Sequence, residues 1–162
     1  MSKALPMRRG KACGITLIEL LIVLVVVGIL TAIAVPSYSA YVVRGQRAAA
    51  KAALMQSAQY LERNYTMNGC YQFGTPTECG NGAGVNLTQP STLTAAPSDG
   101  PTTYTIGWTL ASQTYALTAT PTGGFVDQNC GALLLNNTGQ KGINVGGTPD
   151  YTSAQVGACW GH

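Results

Sequence analysis

From residue 15 to residue 35 the chain is apolar with only three polar interruptions, Thr16, Glu19 and Thr31. A helix of that length, at ~1.5 Å per residue, reaches roughly 30 Å, the thickness of a bilayer's hydrocarbon core. The pattern then changes period. Residues 38–68 are rich in Ala, Gln, Leu, Met and Arg, with one weak helix residue, Gly45. Ala50, Leu54, Ser57, Leu61 and Tyr65 recur every three or four positions, so the helix continues in amphipathic form and packs that face on a sheet. Asn68-Gly69 stops it. Arg44, Arg47 and Lys51 share another side. They are expected to form a solvated face; the sharper alternative is contact with a neighbouring subunit or with anionic groups such as DNA phosphate.

After the helix, residues 69–101 are rich in Gly, Pro, Thr and Ser and suggest a loop. Tyr104, Ile106, Trp108 and Leu110 then alternate on one face. Tyr115, Leu117 and Ala119 do the same after Ala111-Ser112-Gln113, which predicts an antiparallel hairpin. Residues 121–124 turn the chain, and residues 132–135 form a third short strand closed by Asn136-Asn137-Thr138-Gly139. The Tyr and Trp stripe is assigned to the core rather than to a ligand platform. Residues 142–157 are expected to be a Gly-rich loop without core residues. The fold class is α+β: a long amino-terminal helix, apolar then amphipathic, on a small antiparallel sheet. The segments are 1–14, 15–36, 37–68, 69–101 and 102–162.

Charge refines this picture. The formal net charge of the 162 residues is +3. Lys3, Arg8, Arg9 and Lys11 all precede Ile15. Beyond them stand five basic residues (Arg44, Arg47, Lys51, Arg63, Lys141) against six acidic ones, a net of −1. The positive charge therefore orients the apolar helix, with its amino end in the cytoplasm and everything after Pro36 outside. Lys141 is the sole basic residue after Arg63, which gives weak support to DNA as a partner.

Of the five cysteines, Cys13 precedes the apolar run and four follow it, an even number that suggests two disulfides in an oxidising compartment. Four cysteines allow three pairings, which sequence does not separate. Cys70–Cys79 and Cys130–Cys159 are favoured because each joins neighbours in one segment. No C-x-x-C is present, so no metal is expected. The one His is the final residue, His162, which leaves almost no material for a nucleophile–base dyad. Gly80, Gly82 and Gly84 do not open a helix after a strand, so no dinucleotide cofactor is implied. Asp127 and Asp150 are taken as surface residues without partners. No enzyme and no cofactor is expected.

Glu19 is the anomaly. An acid inside an apolar segment costs about 2.5–3.5 kcal/mol on insertion scales. A signal peptide cut after Ala32-Ile33-Ala34 does not need it, and neither does a plain anchor. A chain cut after Gly14 does. Ile15 then carries a free amine one helical turn from Glu19, and the amine of a neighbouring copy can pair with the acid in an apolar setting.

At this point residues 14–36, G-I-T-L-I-E-L-L-I-V-L-V-V-V-G-I-L-T-A-I-A-V-P, resemble the class III signal and first helix of type IV pilins. The resemblance implies that a prepilin peptidase cuts between Gly14 and Ile15 and methylates Ile15, and that Glu19 supports methylation and assembly. Gly28 and Pro36 match the family's helix-weakening positions. The family usually has Phe at the position of Ile15. Met7 would give an eight-residue leader, M-R-R-G-K-A-C-G, against fourteen residues from Met1, and Cys13 is discarded with it. Further on, Y-A-L-T-A-T-P-T-G-G, N-C-G-A-L-L-L-N-N-T-G-Q-K-G and C-W resemble PilE-type minor pilins of type IVa systems. The resemblance implies a pilus subunit, stored in the inner membrane and then extracellular, serving assembly, twitching motility or adhesion. Its partners would be other pilins. The alternatives are a DNA-uptake receptor pilin and a type II secretion pseudopilin.

Overall fold

A computed structural model describes residues 14–71 and 87–161. The chain divides into two compact units, residues 1–40 and 41–162. Helix α1, Leu17–Asn68, runs through both.

In the first unit every described apolar side chain from Ile15 to Val35 is exposed. The helix continues through Gly28 and Pro36, although Gly is a poor helix residue and Pro has no N–H to donate. Thr31 Oγ1 donates to the carbonyls of Val27 (2.8 Å) and Gly28 (3.0 Å), a back-bond that spares the hydroxyl an unpaired place in an apolar stretch.

The second unit is a six-stranded antiparallel meander in sequence order: β1 (Ala95–Ala96), β2 (Tyr104–Leu110), β3 (Tyr115–Pro121), β4 (Ala132–Asn136), β5 (Lys141–Val145) and β6 (Thr148–Asp150). A short helix, α2 (Ala154–Trp160), follows. The register aligns Ile106, Ala119, Leu133 and Ile143 as one cross-strand row, and all four are buried. Ala50, Leu54 and Leu61 of α1 close the same core, so the three- and four-residue spacing does place one helix face against the sheet.

Three sequence expectations need correction. The β2–β3 connection has four residues rather than three: Leu110 pairs with Tyr115, and Ala111 N–H donates to Thr114 O across the turn (2.8 Å). Residues 69–101 hold β1 and a 3-10 helix, Ser91–Leu93. Residues 142–157 are not without core: they contribute Ile143 and Val156, and Trp160 seals the end. In that stretch each element is too short to show a period. Here Gly131 has a specific task. Its φ is +56°, and any Cβ there would strike the carbonyl of Asn144, so only Gly lets β4 begin beside β5.

Candidate functional site

Gly14 and Ile15, the positions expected to flank a cut, lie just before α1. Ile15 is 77% exposed, and Glu19 is exposed, in the first turn of α1. Among the described residues the Glu19 carboxylate makes no ion pair. Its N–H donates to Thr16 Oγ1 (3.3 Å), so Thr16 caps the helix and Thr16-Leu17-Ile18-Glu19 has the spacing of a capping box. Sequence reasoning missed Thr16, although T-x-x-E before an apolar run is its signal. A carboxylate in the first turn also complements the helix dipole.

The second unit gathers its charged side chains around the carboxy-terminal disulfide. Cys130 and Cys159 are joined, with Cα atoms 5.8 Å apart. Asp127 lies three residues before Cys130, buried at 4% exposure. Arg47 donates Nε to Asp127 Oδ2 (2.5 Å) and Nη2 to Oδ1 (2.6 Å); Tyr104 OH donates to Oδ2 (2.8 Å) and Cys130 N–H to Oδ1 (3.1 Å). Burial alone would push the Asp127 carboxyl up. The donors from Arg47, Tyr104 and Cys130 outweigh it and hold the pKa below the usual carboxylate value. The same pair raises that of Arg47, while burial raises that of Tyr104. Asp127 is thus neither on the surface nor unpaired, and Arg47 does not belong to a solvated face.

Lys51, one turn further along α1, also turns inward. Its Nζ donates to the carbonyls of Trp160 (3.2 Å) and Cys159 (3.4 Å), the free carbonyls at the end of α2. Lys141 brings its Nζ over the Trp160 ring, 5.7 Å from the centroid. Trp160 Nε1 donates to Gly142 O (2.9 Å). Burial, then the nearby charges of Arg47 and Lys141, lowers the Lys51 pKa. Asp150 serves the other end of α2. Its Oδ1 accepts the N–H groups of Thr152 (2.9 Å) and Ser153 (3.1 Å); the Ser153 side chain, then these N–H groups, lowers its pKa to about 2.

Where the helix ends, Tyr71 N–H donates to Ser112 O (3.0 Å) and Tyr71 OH to Glu62 Oε1 (2.9 Å). Tyr65, Tyr71 and Tyr115 meet in sequence there: the first two are tilted, centroids 4.6 Å apart, and Tyr71 meets Tyr115 edge to face at 4.9 Å. Burial, then the charge of Glu62, pushes the Tyr115 hydroxyl up to about 12. Cys70 is buried and disulfide-bonded. The Cys70–Cys79 expectation lies outside the described residues, since Cys79 is not among them. Trp108 is half-buried and stacks on Tyr60, 6.1 Å between centroids. Among the described residues no group of three or more His, Cys, Asp or Glu could hold a metal ion.

Two sequence families match. Residues 36–134 match the family described as "Type IV minor pilin ComP, DNA uptake sequence receptor". Residues 9–35 match the "Prokaryotic N-terminal methylation motif", a span that contains Gly14, Ile15 and Glu19. Among solved structures, a type IV pilin from Shewanella oneidensis is similar at 28% identity, covering 68% of this chain and 97% of that one, with a TM-score of 0.41.

Proposed function

Because the chain belongs to the ComP family of type IV minor pilins, we propose that it is cut after Gly14, held in the inner membrane by its apolar helix, and then packed into a pilus whose DNA uptake it serves. One observation carries the pilus part. The apolar side chains of residues 15–35 are exposed, while residues 41–162 form a unit with its own closed core. Exposed apolar surface on that scale requires lipid or other helices around it.

In this reading the prepilin peptidase acts between Gly14 and Ile15 and methylates Ile15. Glu19 meets the amine of a neighbouring pilin, and Gly28 and Pro36 let the helix loosen on packing. The amino end is cytoplasmic before assembly and the outer unit becomes extracellular on the filament. The DNA part is supported by the family matched across residues 36–134. A pilin serving motility or adhesion without DNA, and a type II secretion pseudopilin, are the alternative readings.

Two measurements on the producing cells test it. Sheared filaments should yield an amino-terminal peptide starting at methylated Ile15, and deletion of the gene should abolish uptake of DNA while filaments persist. A chain beginning at Val35 removes the pilus role. Undiminished DNA uptake in the deletion strain removes the DNA role and leaves the pilus role standing.

A further inference from the structure

The sheet of the second unit has two faces, and α1 covers one of them. Strand alternation sends Tyr104, Ile106, Leu117 and Leu133 to the helix side, where they are buried with Leu54 and Leu61 of α1. The intervening positions point the other way. There Thr105 pairs across the strands with Thr120, Gly107 with Thr118, and Thr109 with Ala116. All of these are exposed except Thr118, which is half-buried in the middle of the sheet.

This face carries no charge. The strands hold one basic and one acidic residue, Lys141 and Asp150, which pair with Leu135 and Ile143 and so belong to the helix side. The face does carry hydroxyls in an array. Adjacent strands lie ~4.8 Å apart and same-face side chains repeat about every 6.8 Å along each strand, which spaces Thr105, Thr109, Thr118 and Thr120 at regular intervals. Among the described residues none of these four makes a side-chain hydrogen bond, so their hydroxyls are open to an outside partner. An aromatic ring borders the array. Gly142 continues the row of Gly107, Thr118 and Leu134. A Cβ on Gly142 would stand 2.6 Å from Cδ1 of Tyr151, so the glycine seats the Tyr151 ring against the sheet. Tyr151 stays 38% exposed.

We infer that this face holds an extended, uncharged polysaccharide, with the Thr hydroxyls exchanging hydrogen bonds with sugar hydroxyls and Tyr151 lying against a sugar ring. The chemistry of the face selects that occupant. A nucleic-acid backbone would meet no cation on it. Lipid, or an apolar protein surface, would cover the hydroxyls and leave them unpaired. A sugar hydroxyl both donates and accepts, as a Thr hydroxyl does, and the C–H face of a pyranose ring is apolar enough to lie on a tyrosine. The inference goes beyond the DNA-uptake reading and uses none of the residues on which that reading or the processing depends.

The test sediments the purified full chain, in detergent micelles, with powdered cellulose and chitin across a salt series. Wild type should bind, with an affinity that salt leaves unchanged because no charges are paired. Gly107→Lys is the critical variant. A Cβ there lies 4.0 Å from the nearest atom, Thr118 O, so the fold accepts a side chain and the ammonium stands among the hydroxyls. It should weaken binding roughly tenfold or more, since the glycan would have to cover an unpaired charge. Tyr151→Ala should weaken it too, whereas Gln59→Lys, which adds the same charge on the exposed side of α1, should not. Thermal melts confirm that each variant is folded. The inference is overturned if wild type sediments with neither powder, if salt releases it, or if Gly107→Lys binds as wild type does. It also falls if folded Gly107→Lys is missing from sheared filaments, because a neighbouring pilin then covers the face. None of these outcomes touches the DNA reading.

Discussion

Arg47 and Asp127 lie 80 positions apart and meet in a two-pronged ion pair, at 2.5 and 2.6 Å, from which Asp127 also reaches Tyr104 and the backbone of Cys130. The pair fastens the second unit's stretch of α1 to the loop that enters the disulfide. One turn on, Lys51 fastens α1 to the carbonyl of the other cysteine, Cys159. Two adjacent turns thus hold both ends of the Cys130–Cys159 bridge.

Removing one partner of this pair leaves a buried charge. Arg47→Ala should cost about 3–5 kcal/mol, since Asp127 keeps its desolvation and loses two of its donors. Arg47→Lys should recover little, because a single ammonium does not reproduce the fork. Urea unfolding of the full chain in detergent measures both. A loss under about 1 kcal/mol for Arg47→Ala would mean that Asp127 is solvated after all.

The same carboxylate sets an acid limit. Its folded pKa is below the unfolded value of about 3.9, so between the two values the unfolded chain binds more protons. Its stabilisation is complete above that unfolded value and is lost as pH falls through the folded one. Thermal melts should therefore be flat from neutrality to about pH 5 and fall below about pH 4. Asp127→Asn should start less stable and show a shallower fall. Asp150, held near 2, adds to the same limb, so Asp150→Asn is the necessary comparison. An acid limb of equal steepness in wild type and Asp127→Asn would assign it to other groups.

Much of the architecture could be read from periodicity, because α1, β2 and β3 are long enough to show one. Tyr104, Ile106, Leu117 and Ala119 are buried as their alternation implies, and Leu54 and Leu61 as their helical spacing implies. The elements β1, β5, β6 and α2 were not legible. They span two to seven residues, and their burial depends on neighbours distant in sequence. The charged cluster was hidden for the same reason. Nothing local to Arg47 or Lys51 tells that Asp127 and Trp160 will stand against them, and a row of cations on a helix is usually solvated. Glu19 stands out in the sequence because a carboxylate in an apolar run violates a local rule.

Ser57 tests the core from the opposite direction. It lies on the packed face of α1 with no exposed surface, and among the described residues its hydroxyl has no hydrogen-bond partner. Ala at that position would remove an unpaired polar atom and raise helix propensity. Ser57→Ala should leave the fold unchanged and stabilise it by up to about 1 kcal/mol. A clear drop in melting temperature would show that the hydroxyl is bonded in solution.

Two physical roles are open to Glu19, and one pair of variants separates them. As part of the capping arrangement with Thr16 it would steady the first turn of α1, and Thr16→Ala would then harm the protein as Glu19→Ala does. As partner to the amine of a neighbouring pilin it would act only between subunits. An unpaired acid among packed apolar helices is worth about 2.5–3.5 kcal/mol, far more than a cap on an exposed first turn. The expected outcome is that Glu19→Ala reaches the membrane and is cut after Gly14, but falls roughly tenfold or more in the sheared filament fraction. Thr16→Ala should assemble nearly as well as wild type. Quantitative immunoblots of membrane and filament fractions decide it, and equal losses for the two variants would reduce Glu19 to a helix cap.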